Sequence, residues 1–102
     1  MGAMISEDRF GVLTLKLNVA QIAAGTSAEQ TFTVFGLRPN DYVGLSKPTL
    51  HAGVGVANVR VSAKDTLAVQ FFNTTAGAVT PGLETYLLFY FRPEHVNTSV
   101  NT

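Results

Sequence analysis

The chain has 102 residues, seven basic and seven acidic, a formal net charge of zero and no cysteine. Disulfide frameworks and thiolate zinc sites are therefore excluded, and a neutral chain with 14% charged residues lacks the basic surface that nucleic-acid binding draws on. No apolar run approaches the length of a membrane-spanning helix, so neither nucleic acid nor membrane is an expected partner, and the length suits one domain with one core.

Val and Thr each occur twelve times. Both are β-branched and favour strands, and no stretch carries a helical period. Residues 1–11 read as an N-terminal arm, 12–93 as the domain and 94–102 as a polar tail. The first strand is the clearest, with Leu13, Leu15, Leu17 and Val19 alternating with Thr14, Lys16 and Asn18. Gly25 would stop any short helical turn over 19–24. A second strand is read over Gln30–Phe35, with Phe32 and Val34 on one face. Residues 36–41 form a turn around Pro39 and Asn40-Asp41, and Tyr42–Ser46 is a short third strand. Lys47–Gly55 is loop-like. Val59 and Val61 mark a fourth strand, Ala63-Lys64-Asp65 a hairpin connection, and Leu67, Val69 and Phe71 a fifth. A longer loop over 73–84 leads to the last strand, Thr85–Arg92, which Pro93 stops.

Six short strands punctuated by turns predict an all-β fold, an antiparallel β-sandwich of jelly-roll or Ig-like type. Its expected core is Leu13, Leu15, Leu17, Phe32, Val34, Val59, Val61, Leu67, Val69 and Phe71.

The last strand is apolar on both faces: Tyr86, Leu88 and Tyr90 oppose Leu87, Phe89 and Phe91. Phe35 and Phe72 likewise break the alternation of their strands. A two-layer sandwich buries one face of each strand, so these eight residues are the candidate interface. A charge at Phe89 or Leu88 is expected to impair assembly more than folding. The expected assembly is a homo-oligomer, with a trimer favoured.

Catalytic signatures are sparse. His51 and His95 have no second ligand at metal-site spacing. Glu7, Asp8, Glu29, Asp41, Asp65, Glu84 and Glu94 fall at turns, strand ends or termini, where solvated carboxylates belong. No serine sits in a nucleophile elbow. Gly53-Val54-Gly55 lacks the Lys and following helix of a phosphate loop. Arg38, Lys47 and Arg60 with aromatics form at most a weak stacking platform. Met1–Ser6 matches the myristoylation pattern, which is short enough to occur by chance. Asn73-Thr74-Thr75 and Asn97-Thr98-Ser99 match the glycosylation pattern, but with no secretory leader read at the N-terminus neither is expected to be modified. The reading is a non-enzymatic protein without cofactor or metal.

Three phrases, Ile22–Val34, Val61–Val69 and Asn73–Val79, resemble small β-sandwich virion proteins of tailed bacteriophages. The resemblance runs from Ile22 to Phe91. It implies a capsid decoration or cement protein, made in the host cytoplasm, whose partner is the major capsid protein and whose place is the capsid surface. The alternative is a carbohydrate- or receptor-binding module of a phage fibre or tail, with Tyr42, Tyr86 and Tyr90 as stacking candidates.

Overall fold

The computed structural model describes residues 10–92 and has six strands and no helix among them. The strands are β1 (Phe10–Val19), β2 (Thr26–Thr33), β3 (Tyr42–Ser46), β4 (Val54–Ala63), β5 (Thr66–Asn73) and β6 (Gly82–Phe91). They form two antiparallel three-stranded sheets, ordered β1-β6-β3 and β2-β5-β4. The protein is a small β-sandwich.

The inward faces of the two sheets make one core. Leu15, Leu17, Val34, Val61, Leu67, Val69 and Phe71 are buried there as their alternation requires, and Leu13, Phe32 and Val59 pack against it half-buried. Val19, Ile22, Leu37, Val54, Tyr86, Leu88 and Tyr90 complete it. Ile22 is not helical: it bridges Val79, with backbone hydrogen bonds of 2.8 and 3.1 Å.

Several element bounds differ from the sequence reading, each for a local reason. β1 starts at Phe10, inside the stretch read as an arm, because residues 10–14 pair with β6 up to Phe91. β2 covers Thr26–Thr33 and not 30–35. It is an edge strand whose outward residues, Ser27, Glu29 and Thr31, are polar and exposed, so apolar alternation marks only its end. β4 begins at Val54, five residues before the alternation becomes visible. A bulge between Val56 and Asn58 inserts an extra residue. The insertion switches parity, so that Val54 and Val56 before it and Val59 and Val61 after it all face Asn73, Phe71, Val69 and Leu67 of β5. β6 begins at Gly82 because Glu84, an inward position, finds polar partners at the end of the sandwich.

Three polar stitches close the layers. Asp65, at φ 60° in the two-residue β4–β5 turn, holds the β2–β3 connection. Its carbonyl accepts from the Val34 amide, its amide donates to the Leu37 carbonyl, and its Oδ1 accepts from the Gly36 amide at 2.7 Å. The Gln30 carboxamide accepts from the Ala20 amide at 2.9 Å and donates to the Ala20 carbonyl at 3.1 Å, supplying the pairing that a neighbouring backbone would. Asn73 is fully buried. Its Nδ2 donates to the Ile22 and Gly77 carbonyls and its Oδ1 accepts from the amide and hydroxyl of Thr75. The first glycosylation match is therefore a structural amide.

Candidate functional site

The eight candidate interface residues separate by strand parity. In β6, Tyr86, Leu88 and Tyr90 point inward and are buried, at 0%, 0% and 3% exposure; they are core, which corrects their placement at an interface. Leu87, Phe89 and Phe91 point outward and are exposed. The partner strand makes this choice. Leu13, Leu15 and Leu17 of β1 stand opposite Leu88, Tyr86 and Glu84, while Thr14 and Lys16 stand opposite Leu87 and Thr85. Paired residues share a face, so burying the leucines of β1 forces Leu87, Phe89 and Phe91 outward. Phe72 is half-buried on the outer face of the other sheet, against Gly55. Phe35 is exposed on the β2–β3 connection. Neither joins the β6 cluster by strand register.

The register instead adds residues that the sequence reading missed. Three cross-strand rows run over the outer face of the β1-β6-β3 sheet: Phe10–Phe91–Tyr42, Val12–Phe89–Gly44 and Thr14–Leu87–Ser46. Phe10, Val12 and Tyr42 are 72%, 67% and 69% exposed. Phe10 and Val12 occupy the outward positions of the β1 alternation, a signal legible in the sequence once β1 is extended backward. Tyr42 stacks on Phe91 with ring centroids 6.4 Å apart. With aromatic side chains of about 150–250 Å² each, the six large apolar residues of these rows present about 700 Å². That exceeds the largest patch of an ordinary monomer, about 300–600 Å².

The outer face of the β2-β5-β4 sheet has the opposite character. Ser27, Glu29 and Thr31 flank it on β2, with Gln70 and Ala68 on β5 and Asn58 and Arg60 on β4. The Arg60 guanidinium donates two hydrogen bonds to Glu29, at 2.8 and 2.9 Å, across the middle strand. Gln70 donates to Ser27.

A polar cluster closes one end of the sandwich. The Glu84 carboxylate meets the Lys47 ammonium at 3.2 Å and accepts from the hydroxyls of Thr49 and Tyr86. Lys47 also donates to the Thr49 carbonyl at 2.8 Å and lies 2.8 Å from His51 Nδ1. The Thr49 hydrogen bond, together with Lys47 and the positive side of His51, holds the Glu84 carboxyl below its usual range against the opposing effect of burial. Burial, and then the charge and hydrogen bond of Glu84, push the Tyr86 phenol well up. A carboxylate held this acidic is a weak base at neutral pH; the arrangement pins the β3–β4 connection to β6.

A second ion pair joins Asp41 to Arg92 through two hydrogen bonds, at 2.8 and 2.7 Å, and the same guanidinium donates to the Gly36 carbonyl. Burial raises the Asp41 carboxyl, but the Arg92 hydrogen bonds, the Arg38 amide and both positive charges prevail and hold it low. Asp41 and Glu84 thus depart from the solvated positions expected of the acids.

Other sequence candidates are not brought together. Lys47, Arg38 and Arg60 sit in different surroundings, with Lys47 in the end cluster and Arg60 on the other sheet. Of the three stacking tyrosines only Tyr42 reaches the surface, because Tyr86 and Tyr90 share the inward parity of Leu88. Gly53 sits at φ 78° and its carbonyl accepts from Thr74, a turn role. Among the described residues no group of three or more metal-ligating side chains converges. His95 lies outside the described residues. Comparison with family models, with curated proteins and with solved structures finds no match.

Proposed function

We propose that this chain is a non-enzymatic structural protein that assembles through the outer face of its β1-β6-β3 sheet. The observation that carries the reading is the three-row apolar face. It places six large side chains in water on a sheet whose opposite face already fills the core. Soluble proteins keep such area for contacts with other proteins. The end cluster and the Asp41–Arg92 pair are consumed in holding loops, which leaves the face as the surface best suited to a partner.

The setting we propose is a phage virion, with the protein as a capsid decoration or cement component bound to the major capsid protein. The likeness of Ile22–Val34, Val61–Val69 and Asn73–Val79 to small virion proteins supports it. So does the neutral, charge-poor composition, which offers little repulsion to dense packing on a shell. The test is to mix the purified protein with phage heads lacking it and to pellet the heads. Saturable co-sedimentation that raises the heads' resistance to heat is the expected result. Absence of binding, together with glycan binding that depends on Tyr42, would move the protein to the fibre or tail module.

A further inference from the structure

We infer that the apolar face is covered by a second copy of the chain, packed face to face about a two-fold axis along the Val12–Phe89–Gly44 row. The inference rests on the reading of this face as the assembly surface and names its occupant. Three observations carry it: area, charge and the distribution of bulk.

The exposed area is about 700 Å², and two such faces meeting would bury about 1,400 Å², inside the range of specific stable interfaces. A patch half this size would suit only a transient contact. The three rows carry no charged side chain, and the chain as a whole is neutral. A copy therefore brings no like charge into the three rows, and the nearest charge on this face, Lys16, lies one row beyond them beside Thr85. A two-fold contact also sets every residue against its own symmetry mate or a fixed partner.

Bulk is distributed unevenly along the strands. The first row is three rings, Phe10, Phe91 and Tyr42. The third is Leu87 between two small residues, Thr14 and Ser46. A two-fold axis along the middle row brings the first row of one copy over the third row of the other. Phe10 then lies over Thr14 of the second copy, Phe91 over Leu87, Tyr42 over Ser46, and Phe89 over its own mate. Larger meets smaller wherever the first and third rows cross, and only the middle-row residues meet their own mates, so bulk is spread evenly between two sheets about 10 Å apart. The alternative two-fold, along β6, sets three rings against three rings and leaves a wedge at Thr14 and Ser46. A three-fold ring needs two different complementary patches, and the outer face of the β2-β5-β4 sheet is spanned by the Arg60–Glu29 pair and offers only the half-buried Phe72 as a large apolar side chain. The geometry thus favours a dimer over the trimer expected from sequence.

Sedimentation equilibrium of the full chain across micromolar concentrations tests this. A dimer is expected, weakened about a hundredfold by Phe89→Glu and unaffected by Thr31→Glu on the opposite sheet. Leu87→Glu is the second variant should Phe89→Glu not fold by circular dichroism. Because the chain has no cysteine, single cysteines report the register. A short bifunctional maleimide should join Val12→Cys protomers, which meet across the axis, and not Ser46→Cys protomers. A monomeric or trimeric wild type, a dimer that survives both charged variants, or cross-linking at Ser46 in place of Val12 would each overturn the inference. Head co-sedimentation on the same samples separates the two proposals: a monomer that binds heads sinks only the dimer, and a dimer that ignores heads sinks only the virion assignment.

Discussion

Phe89 lies across Gly44 on the neighbouring strand, so close that a Cβ on Gly44 would stand 2.1 Å from the ring's Cζ. Phe72 makes the same contact with Gly55 on the other sheet, where the separation would be 2.8 Å. In each sheet an aromatic ring of the middle strand covers a glycine of an edge strand, giving that glycine the packing it lacks. Gly44 is not in the left-handed region, so its role is space and not backbone freedom. Gly44→Val should therefore change unfolding free energy by less than about 1 kcal/mol, because the exposed Phe89 ring is free to swing aside. It should nonetheless weaken self-association, since the ring leaves the centre of the face. Urea titration and sedimentation on one sample check both halves; a large stability loss would show the ring to be a core element.

Alternate residues of β6 should respond in opposite ways. Leu88→Ala removes a fully buried side chain and is expected to cost about 2–5 kcal/mol. Leu87→Ala trims an outward one and should cost under about 0.5 kcal/mol in the isolated subunit. A charge at Leu88 would accordingly unfold the chain before it affected assembly, which corrects the sequence expectation for that residue. Chemical denaturation at concentrations that keep the chain monomeric distinguishes the pair.

Phe71 is fully buried between the sheets, opposite Ala28 and Val56. Phe71→Ala is expected to cost about 3–5 kcal/mol, a large part of the stability of a domain this small. A loss below about 1 kcal/mol in urea would mean that the sheets close around the vacancy.

The Asp41–Arg92 pair fixes the turn before β3 to the end of β6. Arg92→Ala leaves a buried carboxylate without its guanidinium and is expected to cost about 3 kcal/mol; Asp41→Asn combined with Arg92→Ala should cost less than Arg92→Ala alone. Thermal unfolding of the two variants checks the order.

Acid sensitivity follows from the same groups. Asp41 and Glu84 both titrate below their ordinary values of 3.8 and 4.5 when folded. The unfolded chain therefore binds more protons in that range, and stability rises with pH through it. Their contribution is complete above the unfolded values and is lost as pH falls through the lower folded ones. Their contribution should be flat from neutrality to about pH 5 and fall below that. Asp41→Asn and Glu84→Gln should each flatten the fall, and Glu84→Gln should also speed amide exchange over 47–53, the segment that Lys47 and Thr49 anchor.

Much of this fold is written in local pattern. The alternation of β1 and β5, the Lys64-Asp65 hairpin and most of the core follow from period-two burial, because a strand with one apolar and one polar face has a single favourable orientation. Where that asymmetry is absent, the sequence is silent. Thr85–Arg92 is apolar on both sides, so its own residues do not choose between Tyr86, Leu88, Tyr90 and Leu87, Phe89, Phe91. Pairing with β1, whose Thr14, Lys16 and Asn18 must face water, makes the choice from more than sixty positions away. The same pairing assembles the candidate face from three strands distant in the chain, which is why Phe10, Val12 and Tyr42 stay invisible to a reading of β6 alone. The bulge at Val56 hides the start of β4 by shifting its parity, and Asp41 becomes a buried acid only because Arg92 arrives from the far end of the domain. Side-chain alternation is a local property that each strand carries by itself. Which strand stands beside which is settled by the closure of the whole core, and the face that this closure leaves in water is a consequence of tertiary structure alone.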